Sequence, residues 1–141
     1  LTDQSLVASA PHKPETDGVI MIRVWTTSAP SSGLPFRRDW LTTTFVNFES
    51  LIAVTISGDA MAPRLANGCV TLVDRSQASV QGDGIYILLA GNEAVPRRLS
   101  LNPLTGHVSI TADNRLYQSQ PDCDPRSLSI LGRVVWVGQC L

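Results

Sequence analysis

The sequence predicts a mostly β domain: twisted sheets in a compact, barrel-like arrangement, with short helical turns. Three observations predict it. About seven short runs rich in β-branched and bulky residues are spread along the chain. Turn residues separate these runs at intervals of roughly eight to twelve residues. Few stretches carry the apolar spacing of a helix. With 141 residues, 43% hydrophobic and only 16% charged, the chain is long enough for one domain with a real core and too apolar for disorder.

Taken in order, Leu1 to Gly18 mixes small polar residues with Pro11 and Pro14 and reads as a linker or arm. Val19 to Trp25 is a strand by its β-branched and bulky residues. Thr26 to Pro35 collects small residues, Pro and Gly, and reads as an exposed loop. Arg37 to Phe48 stays ambiguous: Asp39 is a helix-cap candidate ahead of Trp40, Leu41 and Phe45, yet three consecutive threonines oppose a helix. Leu51 to Ser57 is a buried strand. Asn67-Gly68 is a turn, and Cys69 to Asp74 alternates as a strand does.

Gln81 to Gly84 is a further turn. Ile85 to Ala90 and Glu93 to Leu101 then form a hairpin through Gly91-Asn92. On the second of these strands Val95, Arg97 and Leu99 share one face, and Pro96 and Arg98 the other. Pro96 marks an edge strand or a bulge. Asn102 to Gly106 turns into a strand from His107 to Ala112. Asp113 to Pro125 reads as a polar loop, and Ser129 to Val137 as the last strand. No internal repeat, βαβ unit or phosphate-cradling glycine spacing is present.

The charges exclude some functions. Lys+Arg 11 against Asp+Glu 12 gives a net charge of −1, whereas an isolated DNA-binding domain is usually clearly basic. Lys13 is the one lysine among those cations. Cys69, Cys123 and Cys140 are scattered and odd in number, which reads as reduced structural thiols in a cytoplasmic protein. His12 and His107 stand far apart, so no metal site and no cofactor are expected. No apolar segment is long enough to span a membrane. A chain that begins at Leu1 reads as part of a longer protein.

The most informative stretch is Ile56 to Pro63. The strand before it breaks at Ser57-Gly58-Asp59, and Ala60 and Met61 open a short turn or helix limited by Pro63. Such a break aims backbone N–H groups at one point, a geometry suited to an oxyanion and a nucleophile. The residue at the tip, Ala60, has no nucleophilic atom. The plain alternative is an ordinary turn with Asp59 as cap and Met61 as core filler.

Five patterns then occur in order: ISGDAMAPRLANGCVTLVDRS, GDGIYILL, VPRRLSL, TADNRLY and ILGRVVWVG. Together they resemble the C-terminal domain of LexA and phage CI-type repressors, the self-cleaving serine–lysine peptidases, over positions 19 to 141. The resemblance implies a serine nucleophile after Gly-Asp, with Gly58, Asp59 and Met61 shaping the oxyanion turn. It also implies a lysine base on a later strand, made neutral by burial. The implied substrate is the protein's own small-residue loop, cut at Ala-Gly or Cys-Gly, with RecA filaments promoting the cut in many members.

Carried over, the nucleophile position is Ala60 and the base position is Arg97, which stays protonated at physiological pH. Residues 26–35 take the place of the cleavage loop, with Ser28, Ala29, Pro30, Ser32 and Gly33 at its centre. Ala29-Pro30 stands nearest to Ala-Gly, and an X-Pro bond is a poor scissile bond. Ser32-Gly33 is the alternative. Ser57 precedes the turn and is read as structural. Arg97 is expected to fill the lysine slot, bonded to carbonyls or to a carboxylate such as Asp59.

Two function readings follow. In the first, residues 1–18 are the arm from a separate DNA-binding domain. Residues 19–141 are then the dimerisation domain of a phage- or prophage-type repressor that no longer cuts itself. Its partners are a second copy, through Val134, Val135 and Trp136, operator DNA through the separate domain, and an antirepressor or RecA. In the second, an active self-cleaving repressor or mutagenesis accessory protein carries an engineered Ser→Ala change at position 60; the native codon there decides. Signal peptidase, which shares the serine–lysine fold, is a third and weaker reading that lacks its membrane segment.

Overall fold

The computed structural model describes residues 18–26 and 33–139. Most of the expected arm, together with Ser28, Ala29, Pro30, Ser32 and Cys140, lies outside the described residues. Nine strands form two antiparallel sheets among these residues. The smaller pairs β1 (Val19–Ile22) with β2 (Leu34–Arg37). The larger is built from β3 (Leu51–Thr55), β4 (Val70–Asp74), β5 (Gly84–Ala90), β6 (Glu93–Leu101), β7 (Val108–Thr111), β8 (Gln120–Cys123) and β9 (Ile130–Gly138). Its order is β3-β4-β9-β5-β6-β7-β8, so β3 and β8 are edges and the sheet does not close into a barrel.

Strand β3 is buried on both faces because it separates two cores. Ile52 and Val54 enter a cluster with Met61, Val73, Ile87 and Leu131. Leu51 and Ala53 enter a second with Ile22, Leu41 and Leu72, beneath the small sheet and helix α1 (Arg38–Thr44). This alternation is the two-residue period of a strand. A third cluster of Tyr86, Leu99, Val108 and Ile110 lies under β5–β7. The outer edge of β3 is covered by the segment leaving β1. Ala53 donates to Arg23 O (2.8 Å) and accepts from Trp25 N (2.8 Å), a parallel bridge at Val24.

Several local expectations change. The expected loop to Pro35 ends earlier, because Leu34 and Phe36 alternate onto the core as β2 and Ile20 pairs with Phe36. The ambiguous stretch is helical despite its threonines. Thr42 and Thr43 hydroxyls donate to carbonyls three and four residues back, and Leu41 is fully buried. Asp39 lies inside the first turn rather than at the cap, which is Arg37, whose side chain makes no capping hydrogen bond. The expected polar loop contains β8, an exposed edge strand whose Pro121 is tolerated because one side needs no partner. Pro96 sits in an interior strand, but β7 joins β6 only from Arg98 onward, so the strand is locally an edge at the proline.

A register shift between Leu72 and Val73 marks a bulge where β4 pairs with β9. It turns Val135 and Trp136 together toward the second cluster, while Val134 packs on the first. Trp136 meets Phe36 and Trp40 edge-on, at 5.8 and 5.7 Å between ring centres.

Candidate functional site

The Ile56–Pro63 segment is held from three sides. Gly58 has φ +95, a conformation that only glycine adopts without strain. Its N–H donates to Asn67 Oδ1 at 2.8 Å, and Gly68 N donates to Ile56 O at 2.8 Å, so two turns clamp each other. Met61 is fully buried in the main core. Its carbonyl accepts from Leu65 N (2.8 Å), while Asp59 O accepts from Ala62 N (3.1 Å). Of the short turn or helix expected here, these bonds make a turn. The Ala62–Pro63 peptide is cis.

The third support comes from the T-A-D-N-R-L-Y stretch. Asn114 N donates to Ala60 O at 2.9 Å, and Asn114 Nδ2 to Asp59 O at 3.1 Å. Tyr117 Oη donates to Asp59 Oδ1 at 2.6 Å. That bond to a carboxylate is the first cause of the raised pKa of the Tyr117 phenol, because losing its proton would set two negative charges together. Asp59 is therefore bound by a tyrosine and does not cap the turn.

Arg97 lies half-buried on β6, paired in register with Tyr86. Its Nη1 donates to Pro96 O at 2.7 Å, and the guanidinium lies over the Tyr117 ring, 5.5 Å from its centre. The expected carbonyl partner is present. The expected contact with Asp59 is indirect: Tyr117 intervenes, its ring under Arg97 and its hydroxyl on Asp59. Ala60 and Arg97 line one cleft of about 480 Å³ together with Ser57, Gly58, Trp25 and Thr26. Thr26 is the last described residue before 27–32. Ser28, Ala29, Pro30 and Ser32 lie outside the described residues, and Gly33 sits against the Ile22 backbone of β1.

On the other face of β6, Arg98 grips Asp113 with two 2.8 Å hydrogen bonds and so anchors the start of the Asn114–Tyr117 support. Those bonds from Arg98, followed by the charges of Arg98 and Arg64, hold the Asp113 carboxyl below its ordinary pKa against the opposing effect of burial. A carboxyl depressed in the folded state stabilises the fold above its unfolded pKa, about 4, and that stabilisation is lost as pH falls through the lower folded value. Asp113→Asn is expected to cost about 1–2 kcal/mol at neutral pH, discounted for partial exposure. The gap to wild type shrinks below about pH 4. Urea melts at several pH values measure it; a gap that widens on acidification contradicts the linkage.

Among the described residues, the side chains at positions 60 and 97 do not form a nucleophile–base pair. Ala60 offers a methyl group, and an arginine does not accept a proton here. Ser57 lines the cleft, but His107, the histidine among the described residues, pairs with Asp122 at 2.7 Å on the β7–β8 side. Among the described residues no group of His, Cys, Asp and Glu is arranged to hold a metal ion. No described helix is long and apolar enough to cross a membrane. Burial raises the Cys69 thiol pKa, as for an inert core thiol. The sequence pattern by itself assigns no role to Asn114 or Tyr117, although their motif is visible in it.

A protein described as an uncharacterized HTH-type transcriptional regulator from Haemophilus influenzae is 26% identical over 117 residues. The match covers 79% of this chain and 47% of that protein, so the chain spans about half the length of the relative. Residues 20–135, from β1 into β9, match the Peptidase S24-like family, and the chain belongs to that family.

Proposed function

We propose that this chain is the oligomerisation and regulatory domain of a phage- or prophage-type transcriptional repressor that does not cut itself. The observation that supports the reading is that Ala60 and Arg97 line one cleft; with these as the nucleophile and base positions of the family, neither side chain can carry its step. The likeness to a transcriptional regulator about twice as long supports a separate DNA-binding part. In such a protein the domain pairs two DNA-binding heads, which makes the second half-site contact intramolecular. Release from the operator then depends on a partner such as an antirepressor and not on RecA-promoted scission.

Incubating the full-length repressor at alkaline pH, and separately with RecA, ATP and single-stranded DNA, tests the first half. The expected result is one intact mass throughout. Two fragments split near Ala29 overturn it.

For pairing, the aromatic face is the favoured surface. Phe36, Trp40 and Trp136 line a shallow apolar groove of about 620 Å³, with Thr43 on its rim. Val135 packs with Trp136 on the second cluster behind this face, whereas Val134 packs on the first cluster, so Trp136 is the favoured contact of the three. Thr43→Arg sets bulk and charge on an exposed position without touching the core. Sedimentation is expected to show a dimer whose dissociation constant rises about tenfold or more in the variant. An unchanged constant places the interface elsewhere.

A further inference from the structure

The cleft keeps hydrogen-bond donors that nothing among the described residues uses. A guanidinium carries five N–H donors. Arg97 makes one hydrogen bond there, to Pro96 O, and no ion pair, since the Asp59 carboxylate is taken by Tyr117. The Ala60 N–H likewise has no acceptor among the described residues. Beside them runs a strand edge that no described residue pairs with. Residues 93–97 of β6 pair with β5 on one side, and β7 joins the other side only from Arg98. Glu93 and Arg97 both line the cleft, so it carries negative charge at one end of that edge and positive charge at the other. The two positions lie about 13 Å apart along a strand, the span of about four extended residues.

An extended peptide recognises such an edge by adding a strand to it. A half-buried guanidinium with spare donors recognises a planar carboxylate. The methyl group of Ala60, unlike a serine, leaves no hydroxyl to attack what is bound.

We propose that the cleft is a receptor for a peptide carboxylate: an extended small-residue segment lies along the β6 edge and sets its carboxylate on Arg97. The carboxylate is either the free C-terminal group of a peptide or an Asp or Glu side chain. The proposal rests on the reading of the cleft as non-cleaving and deepens it, since a peptidase cleft without its reacting groups still holds a peptide.

The test is a titration of the isotope-labelled protein, followed by NMR at the Ala60 and Arg97 amides. The probes are Ac-Ala-Ala-Ala-OH, its amide Ac-Ala-Ala-Ala-NH2, and Ac-Ala-Asp-Ala-NH2. The free acid, the aspartyl peptide or both are expected to give saturable shifts, which assigns the source, while the neutral amide gives none. Added salt weakens the binding in the wild-type protein, and Arg97→Gln weakens it about tenfold or more. Arg97→Lys retains part of it, because the charge stays and the fork is lost. Equal shifts with acid and amide, no shifts with any probe, or unchanged binding in a folded Arg97→Gln variant overturn the proposal. Intact mass recorded on the same samples separates the two readings: scission refutes the non-cleaving cleft, whereas absent binding in an uncut protein refutes the receptor alone.

Discussion

Ala60→Ser alone is expected to leave the protein uncut, and Ala60→Ser with Arg97→Lys and Pro30→Gly is expected to cut it. The first substitution is sterically small. Ala60 is 9% exposed and its turn is held by Asn114, Tyr117 and Asn67, so a hydroxymethyl group enters a fixed frame facing the cleft. The hydroxyl stays unreactive while residue 97 is an arginine, because a guanidinium does not take its proton. A lysine there has a compact ammonium whose pKa falls on desolvation, and its neutral form is a competent base. Pro30→Gly restores an ordinary amide after Ala29. The base is expected to speed scission by about 100-fold or more over the Ala60→Ser, Pro30→Gly pair, the lower range for positioned general-base catalysis. The rate rises with pH until the lysine is fully neutral. Intact mass against time between about pH 7 and 10 reads the outcome. Scission in the Ala60→Ser single variant shows that a group other than residue 97 is the base. An inert triple variant removes the nucleophile assignment from position 60.

The parts of this site differ in how legible they are, and the reason is physical. The glycine break at Ser57-Gly58-Asp59 is a local signal, and Gly58 does adopt the left-handed conformation that such a break requires. Strand β6 runs from Glu93 to Leu101 as its alternation predicts, because the Gly91-Asn92 turn and the apolar partners on β5 set its register. Asn114 and Tyr117 are different. They reach Asp59 across 55 and 58 residues of sequence, and no local pattern encodes a side-chain network of that separation. The partner of Arg97 is half legible: a charged group facing a cleft needs acceptors, but only the fold shows that a neighbouring carbonyl and a tyrosine ring serve. Among the elements, β2 and β8 escape for a shared reason. Both are four-residue strands carrying a proline, and β8 buries little apolar surface, so backbone pairing defines it and side-chain pattern does not.

The second large effect is expected at Gly132, the glycine of the I-L-G-R-V-V-W stretch, whose role the pattern does not explain. Strand β9 lies inside the sheet, with β4 on one side and β5 on the other, and Gly132 pairs with Ile87. A Cβ at this position would stand 2.4 Å from Asp74 O, 2.8 Å from the Asp74 carbonyl carbon and 2.8 Å from Val73 Cγ1. The first two neighbours are backbone of a paired strand, so relief requires β4 and β9 to separate and not a rotamer to change. Gly132→Ala is therefore expected at the upper end of overpacking costs, about 3 kcal/mol, with the melting temperature lower by roughly 10 °C. Gly82→Ala is the matched control, since a Cβ there meets nothing within 4 Å, and its change is expected to stay within about 0.5 kcal/mol. Parting β9 from β4 also disturbs the main core that seats Met61, because Val73 and Leu131 pack in that cluster. In the 15N spectrum of a Gly132→Ala protein that still folds, the Ala60 and Met61 amides are expected to shift although they lie in a different segment of the sequence. If Gly132→Ala and Gly82→Ala melt together, the close approach of β9 to β4 is not what this glycine protects.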